Sequence, residues 1–349
     1  MTFATISSLA MWDAARTSMS RTQSQLASTS QEVSSGRHYD VGIALGTETA
    51  RAINARLVIE DIDAIVAMNG VAGERLSTMQ SSISAMREVA NNLFTEATQA
   101  AQSDADRQHF VESARSMLAT LTTLLSATSN GTYVLSGVNN LSAPVSDYLA
   151  EPPSAARSAV IAAFTSEFGI APDDPAVSNI TAAGIRTYWS GAYSALFEDP
   201  NWQSVFSSAS DNPTELRIGP QEHAAYSVSA NDAGVRKLYS ALVAVVDAGA
   251  GEMNSDTFAA LAGLVADTAG SAAADLVRSE ASLGAAQSRI ANANSRMQVN
   301  RSILEKVVGD LESVDQAEAS TRLNNLTTQL QVSYAVTARM FSLSLLDYL

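Results

Sequence analysis

Cysteine is absent from the 349-residue chain, which excludes disulfides and thiolate metal sites and is compatible with any compartment. Positive charge is scarce: 21 Lys and Arg against 36 Asp and Glu leave a net charge of −15. Such a surface is a poor partner for nucleic acid, because phosphate binding needs clustered basic residues. Lys237 and Lys306 are the only lysines, so no polybasic patch faces a membrane either. Aromatic residues make up 6%, too few for one bulky globular core. No apolar run reaches the roughly 18 residues of a membrane span, so no membrane insertion is expected. The start, MTFATISSLAMWDAARTS, lacks the basic and unbroken apolar regions of a cleaved signal. These absences fit a cytoplasmic chain, or one exported by a route that cleaves nothing.

What is present is helical periodicity. The length allows more than one domain, and abundant Ala, Ser, Thr, Asn and Gln suit long helices packed side by side. From residue 58, inward positions run Val58, Ile62, Ile65, Asn69, Ala72, Leu76, Met79, Ile83, Met86, Ala90, Leu93 and Ala97. Steps of three and four are the mark of a coiled-coil seam. The pattern resumes as Phe110, Ala114, Met117, Leu121 and Leu124. Near the other end Leu283, Ile290, Met297, Leu304 and Leu311 repeat every seven, with Ala286, Ala293, Asn300, Val307 and Val314 as a second row. Asn69 and Asn300 interrupt the seams as register-setting polar groups do. The expected stalk sets Leu76, Met79, Ile83 and Met86 against Ile290, Met297, Leu304 and Leu311.

Two terminal segments carry apolar faces without an evident cover. Trp12, Met19, Leu26 and Val33 repeat every seven, but the complementary row reads Arg16, Gln23 and Ser30. A half-seam of that kind does not hold a helix alone, since helix stability comes mainly from packing. Leu323, Leu326, Leu330, Tyr334, Phe341, Leu345 and Tyr348 keep helical spacing to the last residues, where chain ends are usually polar. Either the rest of the protein or another copy covers these faces.

The centre differs. All eight prolines fall between Gly131 and Asn231, as do Trp189 and Trp202. Short helices are expected over 157–168 and 180–197, and short strands over 215–218 and 225–228 around Gly219-Pro220. The expected fold is therefore mainly α: a long antiparallel coiled-coil stalk formed by the N- and C-terminal regions, with an inserted small α+β head. Its divisions are an N-terminal assembly helix and loop (1–57), outgoing stalk (58–140), head (141–235), returning stalk (236–322) and C-terminal assembly helix (323–349). The head contributes none of the seam residues, so the stalk is expected to stand without it.

Little argues for chemistry. His38, His109 and His223 are scattered, with no second ligand at metal spacing. Ser103-Asp104-Ala105-Asp106-Arg107 reads as a helix start, with Ser103 or Asp104 as cap and acids favouring the dipole. Asp61 and Asp63 diverge on a helix. Gly249-Ala250-Gly251-Glu252 precedes no phosphate-binding lysine and reads as a turn. The Asn-x-Ser/Thr triplets at Asn130, Asn140, Asn179 and Asn325 are weak sequons without a secretory context. No catalytic, metal or cofactor-binding residue is expected, so the chain is not read as an enzyme. A coiled-coil enzyme or receptor would need a site within 141–235, and the residues there suggest none.

Three stretches resemble the bacterial flagellins and flagellin-like hook-associated proteins. In LASTSQEVSSGRHYDVG, Ser34-Ser35-Gly36-Arg37 matches the family's turn at the end of its first helix, without the Asp-Asp pair that usually follows. EATQAAQSDADRQHFVESARSMLATLTTLLSATSNGTYVLSG resembles its turn between two long helices, and TRLNNLTTQLQVSYAVTARMFSLSLLDYL its C-terminal helix. Together they cover roughly residues 1–140 and 260–349. Within the family, Gly131-Thr132-Tyr133-Val134-Leu135-Ser136-Gly137 ahead of Pro144, and the ending SLLDYL, resemble the hook–filament junction members more than filament flagellin. Filament flagellin stays open as the alternative.

The resemblance implies a structural subunit of an extracellular flagellum, exported without a cleaved signal. Its partners would be copies of itself in a ring, a hook-side hook-associated protein, flagellin, an export chaperone and the flagellar type III export apparatus. It also implies terminal helices that stay largely unordered in the free subunit and pair in the assembled tube. The last helix then gains about 25 cal/mol per Å² on burial, offset by roughly 1–2 kcal/mol per ordered residue.

Overall fold

Helices carry most of this computed structural model, which describes residues 8–102, 107–226 and 228–346, with side chains from 12 to 339 apart from 103–106, 226 and 227. The helix-start reading at 103–106 lies outside the described residues. Two compact units form: a terminal unit from residues 1–63 and 298–349, and a central unit from residues 64–297.

In the terminal unit, α1 (Ser8–Ser35) ends where Gly36 takes a φ of 69° and returns its N–H to the Glu32 carbonyl at 2.8 Å. That left-handed position favours glycine, the usual way to stop a helix. Asp40 caps the short α2 (Val41–Leu45) by accepting from the Ile43 N–H at 2.9 Å. The first turns of α3 (Thr49–Gln102) and the last of α8 (Ser255–Glu312) then run antiparallel, pinned by Arg301 on Asp63 at 2.7 Å. Asp315 caps α9 (Gln316–Leu346), accepting from the N–H groups of Ala317 and Glu318.

In the central unit the same two helices continue antiparallel. Asn69 donates to Asn294 at 2.6 Å and to the Ile218 carbonyl at 3.1 Å, and Arg87 pairs with Glu280 at 3.1 Å. Leu76, Met79, Ile83, Met86, Ile290 and Met297 are all buried. α4 (Arg107–Leu125) packs on α7 (Ala233–Asp247). Every side chain of α7 from Leu238 to Asp247 is buried, as expected of a helix that is apolar nearly all round. Between them lie the hairpin of β1 (Thr128–Ser129) and β2 (Thr132–Tyr133), then α5 (Ala155–Phe168) and α6 (Ala182–Tyr188). A second hairpin follows, β3 (Thr214–Arg217) with β4 (His223–Tyr226), Thr214 facing Tyr226 and Arg217 facing His223. The β1–β2 turn is Asn130-Gly131 with φ of 50° and 75°, the pairing that tight hairpins favour.

The fold is the expected mainly α stalk with a small inserted domain, but several positions differ. Val58 is 47% exposed, and the inward row is instead Ala52, Ala55, Ile59 and Ile62. On α4 Phe110, Ala114 and Leu121 are buried as expected, but Leu118 and Leu125 are buried in place of the expected Met117 and Leu124, which lie one residue earlier. A strict seven-residue count drifts by about 20° per heptad against a real helix, so it lands on a neighbour after a few turns. Asn300 is exposed rather than in a seam, and Val308 rather than Val307 is buried. The two strands begin one and two residues earlier than expected. The helix expected over 180–197 breaks after Tyr188 into π and 3-10 turns, with Gly191 at non-helical φ −110° and ψ −105°.

The largest departure concerns the core. One contiguous cluster of buried residues runs from Ala72 through Phe164, Trp202 and Tyr239 to Ala293. Head and seams therefore share a core, contrary to the expectation of a stalk that stands alone. One helix among the described residues, α8, is long and apolar enough to cross a membrane. Leu261, Val265, Ala269 and Leu276 on it are buried in that core, the ordinary place for such a helix.

Candidate assembly interface

In the terminal unit α1 and α9 lie against each other and run antiparallel. Gln23 donates to the Tyr334 hydroxyl at 2.9 Å, and Arg322 lies 3.8 Å from Glu32, two contacts that fix the register. The inward row of α1 is Trp12, Ala15, Met19, Thr22, Leu26, Thr29 and Val33. Its second row is thus Ala15, Thr22 and Thr29, three residues after each heptad position, not the expected Arg16, Gln23 and Ser30, which are exposed. Thr22 and Thr29 are buried, and the Thr22 hydroxyl donates back to the Ser18 carbonyl at 3.0 Å. A small hydroxyl residue satisfied within its own helix, as Thr22 is, lets two helices approach closely.

The pairing leaves apolar surface uncovered. Trp12, Met19, Leu26, Val33, Leu323, Leu326 and Leu330 are half-buried, and none is fully enclosed. Tyr334 is 49% exposed, flanked by Val332 and Val336 that are more exposed still. Phe341, Leu345 and Tyr348 lie outside the residues whose side chains are described. Of the expected stalk residues, Leu304 and Leu311 also fall in this unit and are half-buried.

An ion cluster that sequence reading missed ties the helix ends together. Glu312 is buried at the end of α8 and accepts from Arg56 and, at 3.0 Å, from Arg37. The His38 N–H donates to the Glu312 carbonyl and the Val314 N–H to the Gly36 carbonyl, both at 3.0 Å. Gly36-Arg37 thus has a structural role, in which the glycine turns the chain and the arginine reaches a buried carboxylate. The only sequence signal for it was the Ser-Ser-Gly-Arg stretch itself. On the same unit, hydrogen bonding to Asp63 raises the Arg301 guanidinium further, reinforced by that carboxylate's charge.

In the central unit, Val134, Leu135 and Ser136 of the Gly131–Gly137 stretch are buried. Leu135 accepts from the Ala230 N–H at 2.9 Å and Ser136 from the Ser210 N–H at 3.1 Å. Gly137 has a φ of 62°, and a Cβ there would sit 2.5 Å from the Ser210 carbonyl oxygen. Burial pushes up the phenols of Tyr148, Tyr188, Tyr193 and Tyr239, keeping all four neutral in the aromatic core. Arg157 is raised by its hydrogen bonds to Asp247, at 3.0 and 3.2 Å. No cluster of metal-ligating side chains occurs among the described residues.

The α1–α9 pair is thus half-covered, and similarity to known proteins gives the class of the chain. The bacterial flagellin N-terminal helical region matches residues 6–140, and the bacterial flagellin C-terminal helical region matches residues 266–349. The chain belongs to the flagellin-like family and is a structural subunit of the bacterial flagellum. No curated protein sequence matches it. Among solved structures, one from Vibrio parahaemolyticus assigned as a flagellar hook-associated protein aligns at 10% identity with a TM-score of 0.40, over 77% of this chain and 94% of that one.

Proposed function

We propose that the chain forms the junction between hook and filament. Copies assemble as a ring, contacting a hook-side hook-associated protein below and flagellin above, and template filament growth through α1 and α9. The Gly131–Gly137 stretch ahead of Pro144 carries this reading, because its resemblance to the junction members falls on a segment built tightly into the central unit. The half-covered faces of α1 and α9 supply the physical basis for joining copies. Surface of that kind, exposed before assembly, is an aggregation hazard. A chaperone that holds α9 until the subunit passes the type III export apparatus removes the hazard, and export by that route cleaves no leader.

Immunogold or fluorescent labelling of isolated flagella tests the reading. A junction subunit labels once per flagellum, at the boundary of hook and filament. Label along the whole filament would instead make the chain filament flagellin.

A further inference from the structure

The central unit holds a cleft of about 510 Å³ between the Trp189–Glu198 segment, α7 and α8. That volume is within the range of about 300–1,000 Å³ typical of small-ligand sites. Trp189 lines one wall, half-buried, with its ring centroid 5.2 Å from that of the buried Tyr193 beneath it. Four charged side chains line the rest: Glu198, Arg236, Lys237 and Asp267.

The two cations are already committed. Arg236 lies 3.1 Å from Asp199 and donates to the Asn231 carbonyl at 2.7 Å. Lys237 lies 2.7 Å from Asp275 and donates to Ser271 at 2.9 Å. The two acids are not: Glu198 and Asp267 are exposed and form no ion pair among the described residues. Arg278 shares Asp275 with Lys237, so Arg236, Lys237 and Arg278 face Glu198, Asp199, Asp267 and Asp275, and the cleft, lined also by an indole, retains a net negative charge carried by Glu198 and Asp267. An anion is repelled there. An indole beside carboxylates suits a cation carried on an apolar stem, because the ring attracts the charge electrostatically and the stem packs on the ring.

We propose that this cleft binds an alkyl ammonium or guanidinium group, the chemistry of a Lys or Arg side chain or of a free aliphatic amine. The site is independent of the junction reading and needs only the central unit's own residues.

Titration calorimetry on the full-length subunit tests it with three probes: agmatine, the capped tripeptide acetyl-Ala-Arg-Ala-amide and the neutral disaccharide maltose. Both cations are expected to bind, more weakly as salt rises, and maltose is not. Glu198→Gln and Asp267→Asn each raise the Kd about ten-fold, the effect of losing one charge-assisted hydrogen bond. Trp189→Ala raises it about three-fold or more. Both acids are exposed, so circular dichroism of the two amide variants should match the parent. Tighter binding of the tripeptide assigns the natural group to a protein side chain, and tighter binding of agmatine to a free amine. The proposal is overturned if neither cation binds, if the amide variants bind them unchanged, or if maltose binds in their place.

Discussion

Asn231 uses one amide to hold four partners along the 202–211 stretch: its oxygen accepts from Trp202 Nε1 at 2.8 Å and Ser207 Oγ at 2.6 Å, and its nitrogen donates to the Ala209 carbonyl and to Asp211. Trp202 is fully buried, so Asn231→Ala strands an indole N–H in the core. A stranded donor costs about 1–3 kcal/mol, and a second at Ser207 brings the expected loss to about 2–4 kcal/mol. Urea unfolding followed by circular dichroism reads it directly; a loss below about 0.5 kcal/mol would mean that water replaces the amide. Gly137→Ala places a methyl against the Ser210 carbonyl at a positive φ and should cost about 1–3 kcal/mol or more by the same measurement. An unchanged midpoint would show that the loop simply moves. Neither role was legible in the sequence. An asparagine or glycine in a Pro-rich stretch reads as a turn residue, and its partners lie 20 to 73 positions away along the chain.

At the scale of elements, legibility followed the strength of the period. The α3 seam from Ile62 to Ala97 has buried residues where steps of three and four place them, because long apolar side chains recur without a slip. On α1 the same method found Trp12, Met19, Leu26 and Val33 but chose the wrong second row. Ala15, Thr22 and Thr29 carry little hydrophobic signal, and only the facing α9 explains why small residues sit there. Glu312 was missed for a related reason: a glutamate near a helix end looks solvated until Arg37 and Arg56 are seen around it. These observations make α9 testable. Leu326→Asp or Leu330→Asp places a charge where neighbouring copies would enclose it, at a cost of several kcal/mol per subunit. Both residues lie outside the central unit, so its thermal unfolding should stay within about 1 °C of the parent, since changes at distant, independent sites do not couple. Cells carrying either variant are expected to keep hooks, lose filaments and shed flagellin into the medium. Normal filaments on both would show that this face is not an interface.

On the scale of the whole molecule, the inserted segment is less separable than its composition suggests. Punctuation by proline marked it off, yet its aromatic residues cover α7: Tyr148 packs edge-on against Tyr239 with centroids 6.1 Å apart, and Trp202 does the same at 5.5 Å. The run Ala241–Val246 is apolar on every side, which a heptad search passes over and which demands cover all round. Removing residues 146–229 would expose that helix. The shortened chain is expected to aggregate or to lose cooperative unfolding, and a soluble, fully helical, secreted product would show that the stalk stands alone after all.

Assembly, as proposed, turns on α1 and α9 being left half-covered in the subunit and completed by neighbouring copies. Hydrogen exchange of the terminal unit, measured on the purified monomer and on the assembled form, tests it most directly. Amides of Ser8–Ser35 and Gln316–Leu346 should exchange fast in the monomer, while those of Leu76–Ala97 are protected, and should become strongly protected on assembly. Equal, strong protection of α1 and α9 in a verified monomer would mean that they complete each other, and the account of assembly would fail.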